Sequence, residues 1–385
     1  MQYRTNIKNG DKVSALAFGC MRFGKDDAAT ERQILTAIEG GVNYFDTAYV
    51  YPRSEERLGR ILANNKRRNA VLLADKLPPY LVKKNGDADK ILATQLQRLQ
   101  AEHIDYYLIH MLAGSTEWER LRALALPEWL ARQKEKGVLR NIGFSFHGGL
   151  PEFLPLLQAT DWDFCMLQYN YYDENQQAGR AGVEAAAAQG LPLMIMEPLR
   201  GGKLATGLPP PAKAVWDHAF PRRSPAEWAL RWVWQHEEVL TVLSGMNSEE
   251  MVRENARVAA DALPGSLSPE ELALFTEARR LIAAGTKVPC TGCNYCMPCP
   301  YAVDIPLCFS TYNDLALQNR FLTLFAYIFR AQSHQASLCR RCGQCLKHCP
   351  QRIDIPERLK EVAREMEKFP YKPARALIRR FMRLR

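Results

Sequence analysis

AVLLADKLPPYLVKKNGDADKILATQLQRLQAEHIDYYLIH, residues 70–110, holds the pattern on which the fold turns. Two short apolar runs, AVLLAD (70–75) and DYYLIH (105–110), flank a stretch with helical spacing, ILATQLQRLQAEH (91–103). Strands separated by helices imply a parallel sheet with both faces covered. The same alternation extends in both directions. Further strands are expected at SALAF (14–18), NYFDT (43–47), RNIGFS (140–145), FCMLQY (164–169), PLMIM (192–196) and VLTVLS (239–244). Helical patterns such as ATERQILTAIEGG (29–41), PEWLARQKEKG (127–137) and GVEAAAAQG (182–190) lie between them. Eight β–α units, mostly about 25–35 residues apart, fit a TIM barrel, the α/β fold written (β/α)8, better than an open doubly wound sheet. No GxGxxG follows the first strand, so the dinucleotide fingerprint of the open sheet is absent. PPPAKAVWD (209–217) inserts between the seventh and eighth units and is expected as a loop over the barrel mouth. SPEE (268–271) opens a helix, with Ser268 as cap and Pro269 in its first turn.

A chain of 385 residues exceeds one ordinary core and suggests a large domain plus a smaller one. Its 47% hydrophobic and 24% charged residues exclude the disordered and fibrous classes. The apolar run FLTLFAYIF (321–329) is too short to span a membrane, and the N-terminus lacks the order of a signal peptide. The expectation is a cytoplasmic protein without a transmembrane segment. The net charge of +9 invites a nucleic-acid reading, but KFPYKPARALIRRFMRLR (368–385) carries seven Lys and Arg and no acid, while the body is nearly balanced. No nucleic-acid partner is expected. The basic segment reads first as a solvated terminus, and secondarily as a surface for an acidic partner or a membrane.

In a TIM barrel, polar residues at the C-terminal ends of strands are the catalytic candidates. Asp46 closes YFDT, Lys76 closes LLADK and His110 closes YYLIH, while Tyr51 follows Asp46 by five residues. A carboxylate, an ammonium, an imidazole and a phenol thus converge on one mouth. Lys76, paired with Asp46, would stabilise the phenolate of Tyr51 and bring its proton within reach at neutral pH.

The runs FDTAYVYPRSEERLGRIL (45–62), LLADK (72–76), IDYYLIH (104–110), EKGVLRNIGFS (135–145) and LQYN (167–170) resemble, in order and spacing, the aldo-keto reductase superfamily. The resemblance covers roughly residues 1–280, including the opening YRTNIKNGDKVSALAFGCMRFG. It implies a barrel that binds NADPH or NADH without a Rossmann fold and reduces a small carbonyl substrate. The family's tetrad falls on Asp46, Tyr51, Lys76 and His110, with Tyr51 as general acid and His110 orienting the carbonyl oxygen. Its cofactor contacts fall on Ser145 and Gln168 at the carboxamide and on Asn255 at the adenine. Three departures stand out. Phe146 and His147 follow Ser145 where the family usually has Asn, Met196 replaces the tyrosine that stacks on the nicotinamide, and Gly245 and Met251 replace the basic pair that grips a 2′-phosphate.

Nine of the 11 cysteines lie between 290 and 349. In a large cytosolic chain such density indicates metal rather than disulfides. Cys339, Cys342, Cys345 and Cys349-Pro350 form CxxCxxCxxxCP, the bacterial ferredoxin run, in which three thiolates hold one 4Fe–4S cube and the fourth ligates the other. Cys290, Cys293, Cys296 and Cys299-Pro300 nearly repeat it, one residue shorter before Cys299. Zinc is the rival, but two triplets each followed by Cys-Pro favour two 4Fe–4S clusters. Cys308 reads as a buried thiol rather than a further ligand. Both quartets precede Asp-Ile-Pro, in AVDIP (302–306) and RIDIP (352–356), as a duplicated half-unit would. The helical run NDLALQNRFLTLFAYIFRAQ between them resembles the α-helical ferredoxins, a module that also occurs in a branch of the aldo-keto reductases. The expected division is a barrel at 1–282, a ferredoxin-type domain at 283–365 and a basic tail at 366–385.

A nicotinamide releases two electrons together whereas each cluster takes one, and no flavin-binding motif is visible. A flavin bound without a recognisable motif, an external electron-transfer protein and purely structural clusters are three ways to close that gap. The alternative to a reductase is a non-catalytic nucleotide-binding scaffold or redox sensor with structural clusters.

Overall fold

The polar N-terminus forms a hairpin, β1 (Tyr3–Thr5) and β2 (Lys12–Ser14), and the apolar runs after it pair until no sheet edge remains. A computed structural model of the chain describes residues 1–315, 320–331, 333–368, 371 and 373. β3 (Leu16–Gly19), β4 (Tyr44–Asp46), β5 (Leu72–Leu77), β6 (Ile104–Leu112), β7 (Leu139–Phe146), β8 (Phe164–Gln168), β9 (Leu193–Met196) and β10 (Val239–Ser244) follow one another around a closed barrel. Every neighbouring pair is parallel, and β10 returns to β3. The eight expected strands are all present. The first starts two residues later than expected because Ser14 belongs to the hairpin, where its Oγ donates to Leu16 O at 2.6 Å.

Closure leaves a tube that must be filled. Tyr44, Tyr106 and Phe164 fill it with edge-on ring contacts at 5.1 Å, among Ala74, Leu108 and Met166. Each large side chain contributes roughly 1.5–3 kcal/mol by leaving water. The hairpin supplies polar partners at the strand starts: the Tyr106 hydroxyl donates to Asp11 Oδ2 at 2.7 Å and accepts from Asn6 Nδ2 at 3.1 Å. Outside the strands, Gly59 lets the helix Ser54–Asn64 lie directly on the end of Asp87–Leu99. A Cβ at Gly59 would stand 2.5 Å from the carbonyl groups of Arg98 and Leu99.

The chain divides into two compact units, Met1–Leu199 with Arg223–Glu271 and Arg200–Arg222 with Leu272–Arg385. The first contains the barrel. Ser268 caps the helix Pro269–Gly285 as expected, accepting from Glu271 N at 3.2 Å while Glu271 Oε2 accepts from Ser268 N at 2.8 Å. The insertion expected as a loop is instead helical, Pro210–His218. Proline suits its first turn, and Trp216 gives it an apolar anchor against Phe275, ring to ring at 5.0 Å, within the second unit.

The second unit is helical, with Ile305–Asp314, Arg320–Ala331 and Ile355–Met366 packed around Phe309, Tyr327, Leu359 and Val362. Residues 316–319 and 332 of the expected linking helix, and nearly all of the basic tail beyond 368, lie outside the described residues. Its two halves repeat in detail. Asp304 and Asp354 both cap helices, accepting from Leu307 N at 3.0 Å and Glu357 N at 3.2 Å. Left-handed backbone recurs at matching places in the two cysteine loops, at Gly292 and Arg341, Asn294 and Gly343, and Ala302 and Arg352. No helix among the described residues is long and apolar enough to cross a membrane.

Candidate active site and cysteine centre

Parallel pairing brings the strand ends of the barrel together. Asp46 is the last residue of β4, and the registers Asp46 to Ala74 and Lys76 to Leu108 set Lys76 and His110 beyond it on the next two strands. Lys76 Nζ donates to Asp46 Oδ1 at 2.5 Å and to Thr47 O at 2.6 Å. Tyr51 rides on the loop after β4. That loop is pinned where Thr47 Oγ1 donates to Ser54 Oγ at 2.8 Å and Ser54 Oγ donates to Cys20 O at 2.9 Å. Lys76 Nζ lies 5.0 Å from the centre of the Tyr51 ring, and the His110 ring meets that ring edge-on at 5.9 Å. All four tetrad candidates therefore stand in one cluster.

Burial sets the charge states. It pushes the Asp46 carboxyl up, with the Lys76 ammonium pulling against it. Asp46 Oδ2 is buried without a hydrogen-bond partner among the described residues, so Lys76 is the group that opposes the effect of burial on this carboxyl. Burial, then the charge of Lys76, then His147 hold His110 well below the ordinary histidine value, which leaves a neutral imidazole at pH 7. Burial pushes His147 down to about 4, with a Gln177 hydrogen bond opposing.

Two of the three cofactor candidates lie at the ends of later strands and the third lies on a helix. Ser145 Oγ accepts from Met111 N at 2.8 Å, which fixes the hydroxyl against β6. Gln168, at the end of β8, accepts from Gln177 Nε2 at 2.6 Å and donates to Asp173 Oδ2 at 3.2 Å. Asn255, on the helix Glu249–Ala260, donates to Ser244 Oγ at 3.2 Å. Gln177 and Asp173 were not expected from sequence. The polar run YYDENQQ (171–177) directly after LQYN was the available signal.

The eight cysteines sort crosswise. One pocket is lined by Cys290, Cys293 and Cys296 of the first quartet together with Cys349 of the second, and walled by Ile305, Phe309, Ile353 and Ile355. Burial pushes the Cys296 thiol up to about 12, helped by the charges of Cys290, Cys293 and Cys349. Cys345 is pushed up to about 11 by burial, with Cys339, Cys342 and Cys299 as its charged neighbours. Cys299 is thus near enough to the second triplet for its charge to act on Cys345 despite its shortened spacing. Thr291 Oγ1 lines the first pocket, buried and without a hydrogen-bond partner among the described residues, and an acceptor such as cluster sulfide would satisfy it. The four thiols, apolar walls and orphaned donor fit a 4Fe–4S cube. Cys308 stands apart, buried, with its Sγ 3.6 Å from the Tyr327 hydroxyl. Lys203 Nζ donates to Cys290 O at 2.6 Å and Arg200 donates to Pro289 O at 3.1 Å, two cations on the first cysteine loop that spacing did not reveal.

Residues 15–279 match the Aldo/keto reductase family, and residues 289–353 match the 4Fe-4S dicluster domain. The chain belongs to the aldo/keto reductase family and carries a C-terminal 4Fe–4S domain. It is 30% identical over 243 residues to an aldo-keto reductase of Mycolicibacterium vanbaalenii, covering 60% of this chain and 78% of that one. Its barrel is similar to aldo-keto reductase AKR11C1 of Bacillus halodurans, holo form (TM-score 0.61, 24% identity, 72% of this chain and 96% of that chain). An aldo-keto reductase of Klebsiella pneumoniae in complex with NADPH has the same fold (TM-score 0.59, 23% identity, 73% and 95%).

Proposed function

We propose that the barrel is a nicotinamide-dependent carbonyl reductase, with NADPH as the leading cofactor, and that the C-terminal unit holds two 4Fe–4S clusters. The observation that carries the first part is the placement of Lys76 between Asp46 and the Tyr51 ring. When bound, the nicotinamide supplies a hydride to the carbonyl carbon. Tyr51 gives its phenolic proton to the carbonyl oxygen as negative charge gathers there. Lys76 stabilises the charge left on the Tyr51 oxygen, and Asp46 keeps the ammonium in place. His110, neutral, donates a hydrogen bond that orients the substrate oxygen. Ser145 and Gln168, both already fixed by neighbours, hold the carboxamide, and Asn255 meets the adenine. The NADPH of the Klebsiella pneumoniae structure supports this cofactor class.

In the second unit, Cys290, Cys293, Cys296 and Cys349 would hold one cluster and Cys339, Cys342, Cys345 and Cys299 the other. The clusters supply one-electron capacity. Carbonyl reduction in the barrel does not require them, so their electrons go to or come from an external protein.

The test is NADPH and NADH oxidation with a panel of aldehydes and quinones, wild type against Tyr51→Phe. A fall of roughly 10²–10⁴-fold in kcat with intact folding is expected. Equal turnover of every carbonyl by the two proteins would remove Tyr51 from the mechanism and favour the non-catalytic scaffold.

A further inference from the structure

The two cysteine loops share a scaffold but not a surface. CTGCNYCMPCP (290–300) contains no charged residue, whereas CRRCGQCLKHCPQR (339–352) contains Arg340, Arg341, Lys347 and Arg352 and no acid. The left-handed turns and aspartate caps recur in both halves, so the backbone does not demand these cations. All four are exposed, and so is the thiol-bearing Cys342. Its counterpart Cys293 is half-buried. Leu346 stands 45% exposed in the same loop, an apolar contact among the charges. Arg341 is held by Glu357 at 3.1 Å, while Arg340, next to Cys339, and Lys347, next to Leu346, are exposed at the two ends of the loop.

A cube ligated by four thiolates is anionic, and nearby cations could serve only to neutralise it. Shielded charge does that best, as the half-buried Lys203 can at the first loop, because exposed charges are screened by water and salt. A cluster of exposed like charges is suited instead to steering an oppositely charged macromolecule into contact. Resting on the two-cluster reading above, we propose that the Cys339–Cys345 loop is the port at which an acidic one-electron carrier protein docks. One electron leaves the reduced carrier and enters the cluster of Cys339, Cys342, Cys345 and Cys299. The carrier is oxidised by one unit, the cluster is reduced by one, and no bond forms or breaks.

The experiment counts iron in the full-length holoprotein first, then measures binding of an acidic flavodoxin by calorimetry at about 20 mM and about 200 mM salt. Basic cytochrome c is the control. Wild type is expected to bind flavodoxin at least roughly tenfold more weakly at the higher salt. The Arg340→Glu/Lys347→Glu variant should lose at least roughly tenfold at the lower salt, and Arg340→Gln/Lys347→Gln an intermediate amount. Reduction of the clusters by flavodoxin hydroquinone in stopped flow should slow in the same order, with iron content and carbonyl turnover unchanged. Equal flavodoxin affinity in wild type and both variants would overturn the port, as would cytochrome c binding wild type as well as flavodoxin does. Wild type lacking iron would overturn the two-cluster reading itself, a failure distinguishable because iron is counted before binding is measured.

Discussion

Lys76 Nζ lies 2.5 Å from Asp46 Oδ1, and both side chains are almost fully shielded from water. A pair at this depth stabilises little by its own attraction, since both charges were taken from water, but removing one partner strands the other. In the proposed mechanism the pair serves to position a charge beside Tyr51, whose ring centre lies 5.0 Å from Lys76 Nζ. Lys76→Met should cost about 3–5 kcal/mol in the barrel's unfolding transition, and Lys76→Met/Asp46→Leu clearly less than the sum of the single changes. Urea unfolding followed by tryptophan fluorescence checks this. Additive losses would mean that the two residues act independently.

His147 gives the barrel a pH signature. Its value falls from 6.5 in the unfolded chain to about 4 in the fold. Between those values the unfolded chain binds a proton that the native protein does not, so stability is lost as pH falls through this window. The loss approaches about 3 kcal/mol for this one side chain. His110 is lowered for the same reason and adds to it. Relative to His147→Asn, wild type should lose melting temperature between pH 7 and pH 4.5. Taking the difference between the two proteins removes the acid sensitivity of the clusters, which both share. A constant difference across that range would contradict the buried neutral imidazole.

The crosswise sorting of cysteines makes a prediction about pairs. Cys349→Ser should remove the cluster of Cys290, Cys293 and Cys296, lowering iron from about eight to about four per chain. Adding Cys293→Ser should cost no further iron, whereas adding Cys342→Ser should remove the rest. Iron and sulfide analysis distinguishes this from ligation within each quartet, for which Cys349→Ser with Cys342→Ser would be the harmless addition.

Lys203 brings a positive charge to the carbonyl of Cys290. Reduction adds negative charge to a cluster, so a cation beside it favours the reduced state. Lys203→Gln should lower one of the two midpoint potentials by roughly 30–60 mV, and Lys203→Arg should restore it. Potentiometric EPR reads both clusters separately. Unchanged potentials would reduce Lys203 to a structural anchor of the loop.

The barrel was legible because its strands are mostly apolar and buried along nearly their whole length, and helix-separated runs such as AVLLAD and DYYLIH have few other folds open to them. Chain order then put Asp46, Lys76 and His110 at successive strand ends with no further information. The hairpin escaped because YRT and KVS are polar and three residues long, although the Asn9-Gly10 turn between them, with Gly10 at φ 82°, is a hairpin signal. The helix Pro210–His218 was hidden by its prolines, which occupy the first turn where proline is tolerated rather than breaking it. Contacts that join distant segments, such as Gln177 to Gln168 or Lys203 to Cys290, leave no periodic trace in the chain. Cys299 was the opposite case. Spacing sets it one residue short of the ferredoxin run, and tertiary placement puts it among the charged neighbours of Cys345.

Direct hydride transfer in the barrel is the central claim, and isotope tracing tests it most directly. The holoprotein would be given NADPH carrying deuterium at both C4 positions and an aldehyde from the panel, under anaerobic conditions in ordinary water. Mass spectrometry of the alcohol should find one deuterium per molecule on the carbinol carbon. Alcohol formed without deuterium would mean that the electrons reached the carbonyl by way of a flavin or the clusters, with hydrogen drawn from water, and the account of the barrel would be wrong.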